Sequence, residues 1–556
     1  MRKMIIGLFC CTAVLLAGYA GYRGFKVWKQ NHLVEMARGF LAKSDGRNAL
    51  LCIQQALHSN PQNVEATRMM ANLTEAARSP SALLWRNRVV ELRPASTEDR
   101  LALAQTALMF RDYASATNAL AAVTAEGRKT ASFHNLAGAV EASGNQLAEA
   151  EADFIEAARL EPTNQAPQLN LAVIRLHGTN ATELREARTA LEGISAHSSN
   201  PGLRCQALRE LVADAAHSKQ MNRALALSEE LVQQTNSVFA DRLMRLDVLQ
   251  LARSSDFKPA LIAFQREAGN DSGKIYELAT WEMAKTTPAD TLAWLRSLPR
   301  TAQTNQPVTL LIADCLGAQK DWRGEQLWLE PQKWAELDFV RHAFLARALS
   351  EQDLSAACKA EWVEALKAAN DQKASLTMLL RLAAQWKWQS EGEDLLWTIV
   401  NQYPGEKWAI RALTQALFAG GRTRPLMMLY SQQMKRTPSD ISAKNNLAMT
   451  ALLLDAKELK PNDLAREVYE KAPTNAMYVS TYAFSLHMQK KDTEALKVME
   501  QLKPRDLENP SIAGYYGVIL KATGNGAKAK PYLEWAFKAP LLPEERKLFD
   551  TARAGI

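Results

Sequence analysis

Six cysteines are spread over 556 residues, and no two of them form a C-x-x-C pair. That spacing removes zinc-ribbon and thioredoxin-type sites from consideration. Cys10 and Cys11 lie in an apolar N-terminal stretch, while Cys52, Cys205, Cys315 and Cys358 are scattered and read as buried free thiols. Only 21 prolines occur, mostly in short gaps between helical patterns, and no stretch is dominated by Pro, Gly, Ser or one sign of charge. Long disordered or low-complexity segments are thereby excluded. Alternating strand patterns are nearly absent. The chain also lacks H-E-x-x-H, G-x-x-x-x-G-K-[ST], G-x-S-x-G, and a G-x-G-x-x-G after a strand. Its eight histidines (His32, His58, His134, His177, His197, His217, His342 and His487) include no two at helical ligand spacing. Adjacent carboxylates such as Glu149/Glu151 and Glu544/Glu545 read as solvated helix faces. No catalytic, cofactor-binding or metal-ligating residue is assigned, and the expectation is a protein that is not an enzyme.

What is present is ordinary for a folded body: 47% apolar and 23% charged residues. The length implies several domains or one elongated array. The net charge of +7 is uneven: +5 over residues 1–32, −5 over 33–400 and +7 over 401–556. A nucleic-acid binder would be more evenly basic, so no nucleic-acid partner is expected.

Met4 to Tyr22 is one uncharged run of 19 residues. As a helix it would reach about 28 Å, close to a bilayer's hydrocarbon core. Arg2 and Lys3 precede it; Arg23, Lys26 and Lys29 follow, with Tyr19, Tyr22 and Trp28 at the interface-belt position. The preferred reading is an uncleaved transmembrane signal anchor. A cleaved signal peptide, with Gly18 and Ala20 before the cut, is the alternative. No cysteine follows Leu16-Ala17-Gly18, which excludes a lipoprotein. A short N-terminal tail normally stays inside, placing the rest outside the cytoplasm.

A helical period then recurs. Phe133, Leu136, Ala137 and Val140 share one helix face; Gly144-Asn145 marks a turn; Ala150, Phe154 and Ala157 share the face of a second helix, and Pro162 ends it. Related patterns appear at Leu33, Met36, Ala37, Phe40, Ala49, Ile53, Ala56 and Pro61, and again at Leu103, Ala104, Ala107, Ala116, Leu120 and Val123. Further copies run through Ala187, Leu191 and Ile194, Leu379 to Pro404, Tyr482 to Leu502, and Tyr516 to Ala536. Small residues would let neighbouring helices approach, and Phe154 would fill the gap between three of them.

This pattern resembles the tetratricopeptide repeat, whose signature is W-x2-L-G-x2-Y, then A-x3-F, then P, at a period of 34. The resemblance implies an all-α, right-handed superhelical solenoid of antiparallel helix pairs, roughly 14 to 15 of them, in which each pair buries its face against its neighbours. The expected organisation is a tail (1–3), the anchor (4–22), a basic linker (23–32), repeats over 33–236, degenerate repeats over 237–372, repeats over 373–549, and a tail (550–556). The small-residue signature fades in the degenerate stretch.

Three features could carry function. Asn135, Asn170 and Asn446 each stand just before the Leu of a first helix. In tetratricopeptide proteins that bind extended peptides, an Asn there lines the groove and can hold a ligand backbone; the alternative is that these amides only brace the repeat. The matching positions elsewhere hold Glu35, Arg68, Ala102, Ala412, Thr481 and Tyr515. Ten of the thirteen tryptophans fall between Trp281 and Trp408, as core filler or as a groove stripe. The basic C-terminal third (Lys490, Lys491, Lys497, Lys503, Lys521, Lys528, Lys530 and Lys538) reads as a solvated surface or a contact for an acidic partner or anionic lipid.

The resemblance extends to bacterial membrane-anchored repeat proteins that organise cell-envelope assembly, secretion or polysaccharide export. It implies a scaffold at the inner membrane, repeats extracytoplasmic, with a protein or extended peptide in its concave groove and no cofactor. The alternatives are an accessory subunit of an enzyme complex with a cryptic site in 237–372, and, disfavoured, an RNA-binding helical repeat.

Overall fold

The computed structural model describes Lys26 and residues 28–556. The proposed anchor, residues 4–22, lies outside the described residues, as do Cys10 and Cys11. Among the described residues no helix is long and apolar enough to cross a membrane, and none is in a strand.

The chain divides into two units, Met1–Thr287 and Pro288–Ile556. The first contains seven helix pairs. They start with a helix over 28–42 paired with Gly46–Ser59, end with Phe239–Leu251 paired with Phe257–Ala268, and are followed by Ser272–Lys285. In the second, Pro288–Ser297 and the short Arg300–Gln303 precede seven more pairs. These run from Val308–Ala318 with Trp322–Leu329 to Pro510–Ala522 with Gly526–Ala536, and Pro543–Ala554 closes the unit.

One pair shows why these residues fold this way. Thr130 caps Ala131–Ser143 by accepting from the Phe133 N–H, satisfying a donor the helix leaves open. The helix ends at Asn145, whose φ is +62°, and the Gln146 N–H reaches back to the Glu141 carbonyl at 2.9 Å. That five-residue return bond with a left-handed residue is a Schellman cap. It reverses the chain into Leu147–Leu160, which buries Ala150, Phe154 and Ala157. A Cβ on Gly138 would come within 2.9 Å of the Phe154 ring, so the absent side chain is what admits the phenyl group. Burying that ring contributes about 1.5–3 kcal/mol.

The same turn recurs. Ser44, Arg78, Arg111, Asn145, Lys219, Arg253, Lys320, Asp353, Lys387, Gly421, Asp455, Lys490 and Gly524 all have positive φ. Each is followed by a return bond to the carbonyl five residues before, as in Asp112 N–H to Ala107 and Lys491 N–H to Leu486. Neighbours in the series are 33 to 35 residues apart, apart from the steps from Asn145 to Lys219 and from Arg253 to Lys320. The stretch 237–372, where the small-residue signature fades, thus still contains the turn at Arg253, Lys320 and Asp353. Its cores use larger side chains: Phe339, Phe344, Trp334 and Trp362 are buried beside Leu376 and Leu379.

Most of the patterned residues are buried, including Ile53, Leu103, Leu120, Leu191, Leu379, Met499 and Leu533. Met36 is a correction: it is exposed, and Val34 is buried beside Leu33 and Ala37, because at about 100° per residue Leu33 and Val34 flank Ala37 on one helix face while Met36 falls at its edge. The tryptophans are mainly core. Trp281, Trp294, Trp334 and Trp362 are buried, and Trp386 meets Trp388 edge-on, with Trp362 packing on Trp388 in turn. Trp408 alone among the ten is exposed at the surface. Cys52, Cys205 and Cys315 are buried and in no disulfide, and Cys358 is half-buried and likewise unbridged.

Candidate partner-binding site

The first helix of each pair supplies a row of side chains to one face of its unit. In the first unit this row places Asn135 and Asn170, both half-buried, against each other: the Asn170 amide donates to the Asn135 carbonyl oxygen at 3.0 Å. Two first helices before Asn135, Arg68 makes a two-pronged contact with Asp99 on the helix between them, at 2.9 Å on each prong. Arg209 grips Asp241 in the same manner. These links join successive first helices. Deeper in the Asn135 pair, His134 lies 2.6 Å from Asp153, and burial, reinforced by the Asp153 charge, pushes Glu141 up to about 7.

In the second unit the row encloses a cavity of about 180 Å³. Its polar wall comes from three consecutive first helices: Asn445, Asn446 and Thr450 from Ile441–Leu453, Ser480 and Thr481 from Ala476–Met488, and Tyr515 from Pro510–Ala522. Asn446, Thr481 and Tyr515 occupy the same register position in each helix. Phe418, Met449, Met477 and Leu541 supply apolar surface. The Thr450 and Thr481 hydroxyls are satisfied by the carbonyls of Asn446 and Met477. Two polar atoms are not: the Asn445 side-chain oxygen and the Ser480 hydroxyl are buried without a hydrogen-bond partner among the described residues. Asn445 is 4% exposed and Ser480 1%, so each bears the desolvation cost of an unpaired group.

The far wall is the C-terminal segment. Tyr515 donates its phenolic proton to Glu545, whose other oxygen accepts from the Leu542 N–H at 2.8 Å. Burial raises the Glu545 carboxyl above its ordinary range, although both bonds pull it down; burial and the neighbouring carboxylate raise the Tyr515 phenol well above its own. The Thr423 hydroxyl donates to Glu544. Glu544 and Glu545, expected on a solvated face, are therefore half-buried and bonded, because the chain returns across the groove after its last pair. Of the basic residues in the C-terminal third, Lys521 is half-buried and reaches the Thr551 carbonyl at 3.3 Å; the others are exposed.

The three asparagines are thus not one ladder. Asn135 and Asn170 bond to each other, and Asn446 lines a separate cavity in the other unit. Sequence reasoning missed Asn445, Ser480 and the Glu545 wall. The spacing from Asn446 to Thr481 and Tyr515 was the available signal, since it repeats the period with polar residues at the groove position.

Chemically the cavity offers two amides, hydroxyls and one half-buried carboxyl, groups that can hydrogen-bond a peptide backbone. Among the described residues no group of three His, Cys, Asp or Glu is placed to hold a metal ion. No family model matches the sequence, and no curated protein matches it. Similar solved structures include Pseudomonas aeruginosa PilF, at 12% identity and TM-score 0.31 over 40% of this chain and 98% of that one. They also include the Cut9–Hcn1 hetero-tetramer of the APC/C, at 12% identity and TM-score 0.27 over 94% and 96% of the two chains. A third is the TPR domain of P58(IPK), at 14% identity and TM-score 0.21 over 92% and 99%. The helix pairs, their 33-to-35-residue turns and the Ala150–Phe154–Ala157 packing decide the architecture. The fold is tetratricopeptide-like. In this tetratricopeptide-like chain the cavity of the second unit is lined by residues of three consecutive first helices, two of which, Asn445 and Ser480, have an unpaired polar atom among the described residues.

Proposed function

We propose that the chain is a scaffold that binds an extended segment of a protein partner in the groove of the second unit, and that residues 4–22 anchor it in a membrane with the repeats outside the cytoplasm. One observation carries the binding reading: Asn445 and Ser480, each with a buried polar atom that has no partner among the described residues, are among the residues lining a cavity with apolar walls. A peptide backbone can satisfy both while its side chains fill the space between Phe418, Met449 and Met477. Binding rather than catalysis fits the cavity's chemistry, which pairs no nucleophile with a base. A place in cell-envelope assembly, secretion or polysaccharide export follows from the anchor and the resemblance, as an inference by analogy.

Site-specific photo-crosslinking in native membranes tests this. A crosslinker at Met477, in the groove, should give a discrete protein adduct; one at Lys497, on an exposed second helix, should not. The Met477 adduct should disappear in Asn445→Ala with Ser480→Ala. Adducts that are nuclease-sensitive, absent, or equal at both positions would overturn the reading. The anchor has its own check: the full chain should stay in the pellet after a carbonate wash, whereas a chain beginning at Gln30 should be soluble and helical.

A further inference from the structure

After the last helix pair, residues 539–542 run without regular structure into Pro543–Ala554. This short stretch bridges elements far apart in the chain. Leu542 is 4% exposed and belongs to the same core cluster as Leu413, Leu417 and Leu426. The Pro543 ring lies against Gly421, where a Cβ would come within 3.1 Å of it. Glu544 takes the Thr423 hydroxyl, 121 residues upstream, while Glu545 takes the Tyr515 phenol. Four consecutive residues, Leu-Pro-Glu-Glu, thereby span the groove from the pair at Lys407–Arg436 to the helix Pro510–Ala522.

The hold is by side chains. Among the described residues, no backbone N–H or carbonyl of residues 540–545 bonds to a groove helix; the Leu542 N–H and carbonyl are used within the segment's own helix start. Beside it the cavity keeps the unpaired Asn445 and Ser480 atoms. The segment therefore occupies the leucine pocket and the Thr423 and Tyr515 hydroxyls, while the space lined by Phe418, Met449 and Met477 stays open beside it.

We infer that the groove is a receptor for a segment of Leu-Pro-acidic-acidic chemistry, that residues 540–545 are its occupant in cis, and that a protein partner carrying the same chemistry exchanges with them. This rests on the groove reading above and gives the partner a chemical class. An incoming segment gains the same leucine pocket and the Thr423 and Tyr515 donors, and its backbone N–H groups can also reach Asn445 and Ser480. A cis occupant lowers the apparent affinity of such a partner by the fraction of time the groove is open.

The probe is a labelled peptide copying residues 538–549, titrated against the full chain and against Leu542→Ala with Glu544→Ala, which loosens the cis segment and leaves the groove residues intact. Binding to the loosened variant should be about ten-fold tighter or more, following the larger open fraction. A peptide with the counterparts of Leu541, Leu542, Glu544 and Glu545 replaced should not bind. Equal binding to both proteins, or no binding to a variant whose helix 510–522 shows native hydrogen exchange, overturns the inference. The Met477 adduct separates the two levels. An adduct abolished by Asn445→Ala with Ser480→Ala but not strengthened by loosening overturns the cis-occupant inference alone, and an adduct insensitive to both overturns the groove as well.

Discussion

Asn170 donates its side-chain amide to the Asn135 oxygen at 3.0 Å, joining two first helices 35 residues apart. Both side chains are half-buried, and each is the other's partner. The pair braces two repeats, and stability should report it. Each single alanine substitution should cost about 0.5–1.5 kcal/mol. A double-mutant cycle by chemical denaturation should show a coupling of similar size, because the second change finds the bond already gone. Additive single effects would mean that the bond contributes nothing.

Ala157 is fully buried where Leu147–Leu160 meets its neighbours. Ala157→Leu adds volume with no space to receive it and should destabilise by about 1–3 kcal/mol. Each repeat contacts chiefly its neighbours, so the loss should be local. Hydrogen exchange should rise across residues 131–176 and stay unchanged beyond residue 308; uniform loosening would refute nearest-neighbour packing.

Lys219 is held at φ +59°, a region costly for any residue with a Cβ. Lys219→Gly should relieve that strain, and glycine's greater freedom in the unfolded chain offsets part of the gain. The expected net effect is about 0.5–1 kcal/mol of stabilisation, read as a higher denaturation midpoint. Lys219→Ala, which keeps the Cβ, should show no gain, and a gain there would locate the effect in the charge instead.

Glu325 is fully buried between Gly317 and Trp322. Burial pushes its carboxyl up to about 8, with partial relief from Arg347 and opposing effects from Asp314 and Asp321. Asp314 shifts the same way, to about 6, again through burial. The folded-state values lie above the unfolded ones, so the folded protein holds these protons more tightly. Their contribution is fully present below about pH 4 and is lost as pH rises towards 8, by an amount on the order of a few kcal/mol. Glu325→Gln cannot ionise and should therefore gain on wild type as pH rises. Melting curves at pH 5 and pH 8 should show the variant-minus-wild-type midpoint difference increasing, and a flat difference would exclude this titration.

Much of the fold was readable because its signals are local. Ala150, Phe154 and Ala157 announce a buried stripe through spacing alone, and Pro162 and Asn145 mark where helices stop. The turns were harder, since most of their left-handed residues are Arg, Lys, Ser or Asp rather than glycine. The return bond to the preceding helix makes those conformations tolerable and leaves little mark on residue type. The 237–372 stretch hid its repeat for a related reason: Phe344 and Trp362 fill by bulk the space that alanines elsewhere close by proximity.

The sequence by itself determined the helix pairs and their period, because hydrophobic spacing, caps and turns act within a few residues of chain. Only the tertiary structure decided which groups meet across larger separations. Nothing near Asn135 shows that its partner is Asn170. Nothing in the Glu544-Glu545 pair distinguishes an exposed helix start from one turned into a groove against Thr423 and Tyr515. That choice depends on how the successive helices of the second unit bring residue 421 beside residue 543, and so on the sum of small packing angles between helix pairs, which no short stretch of sequence encodes.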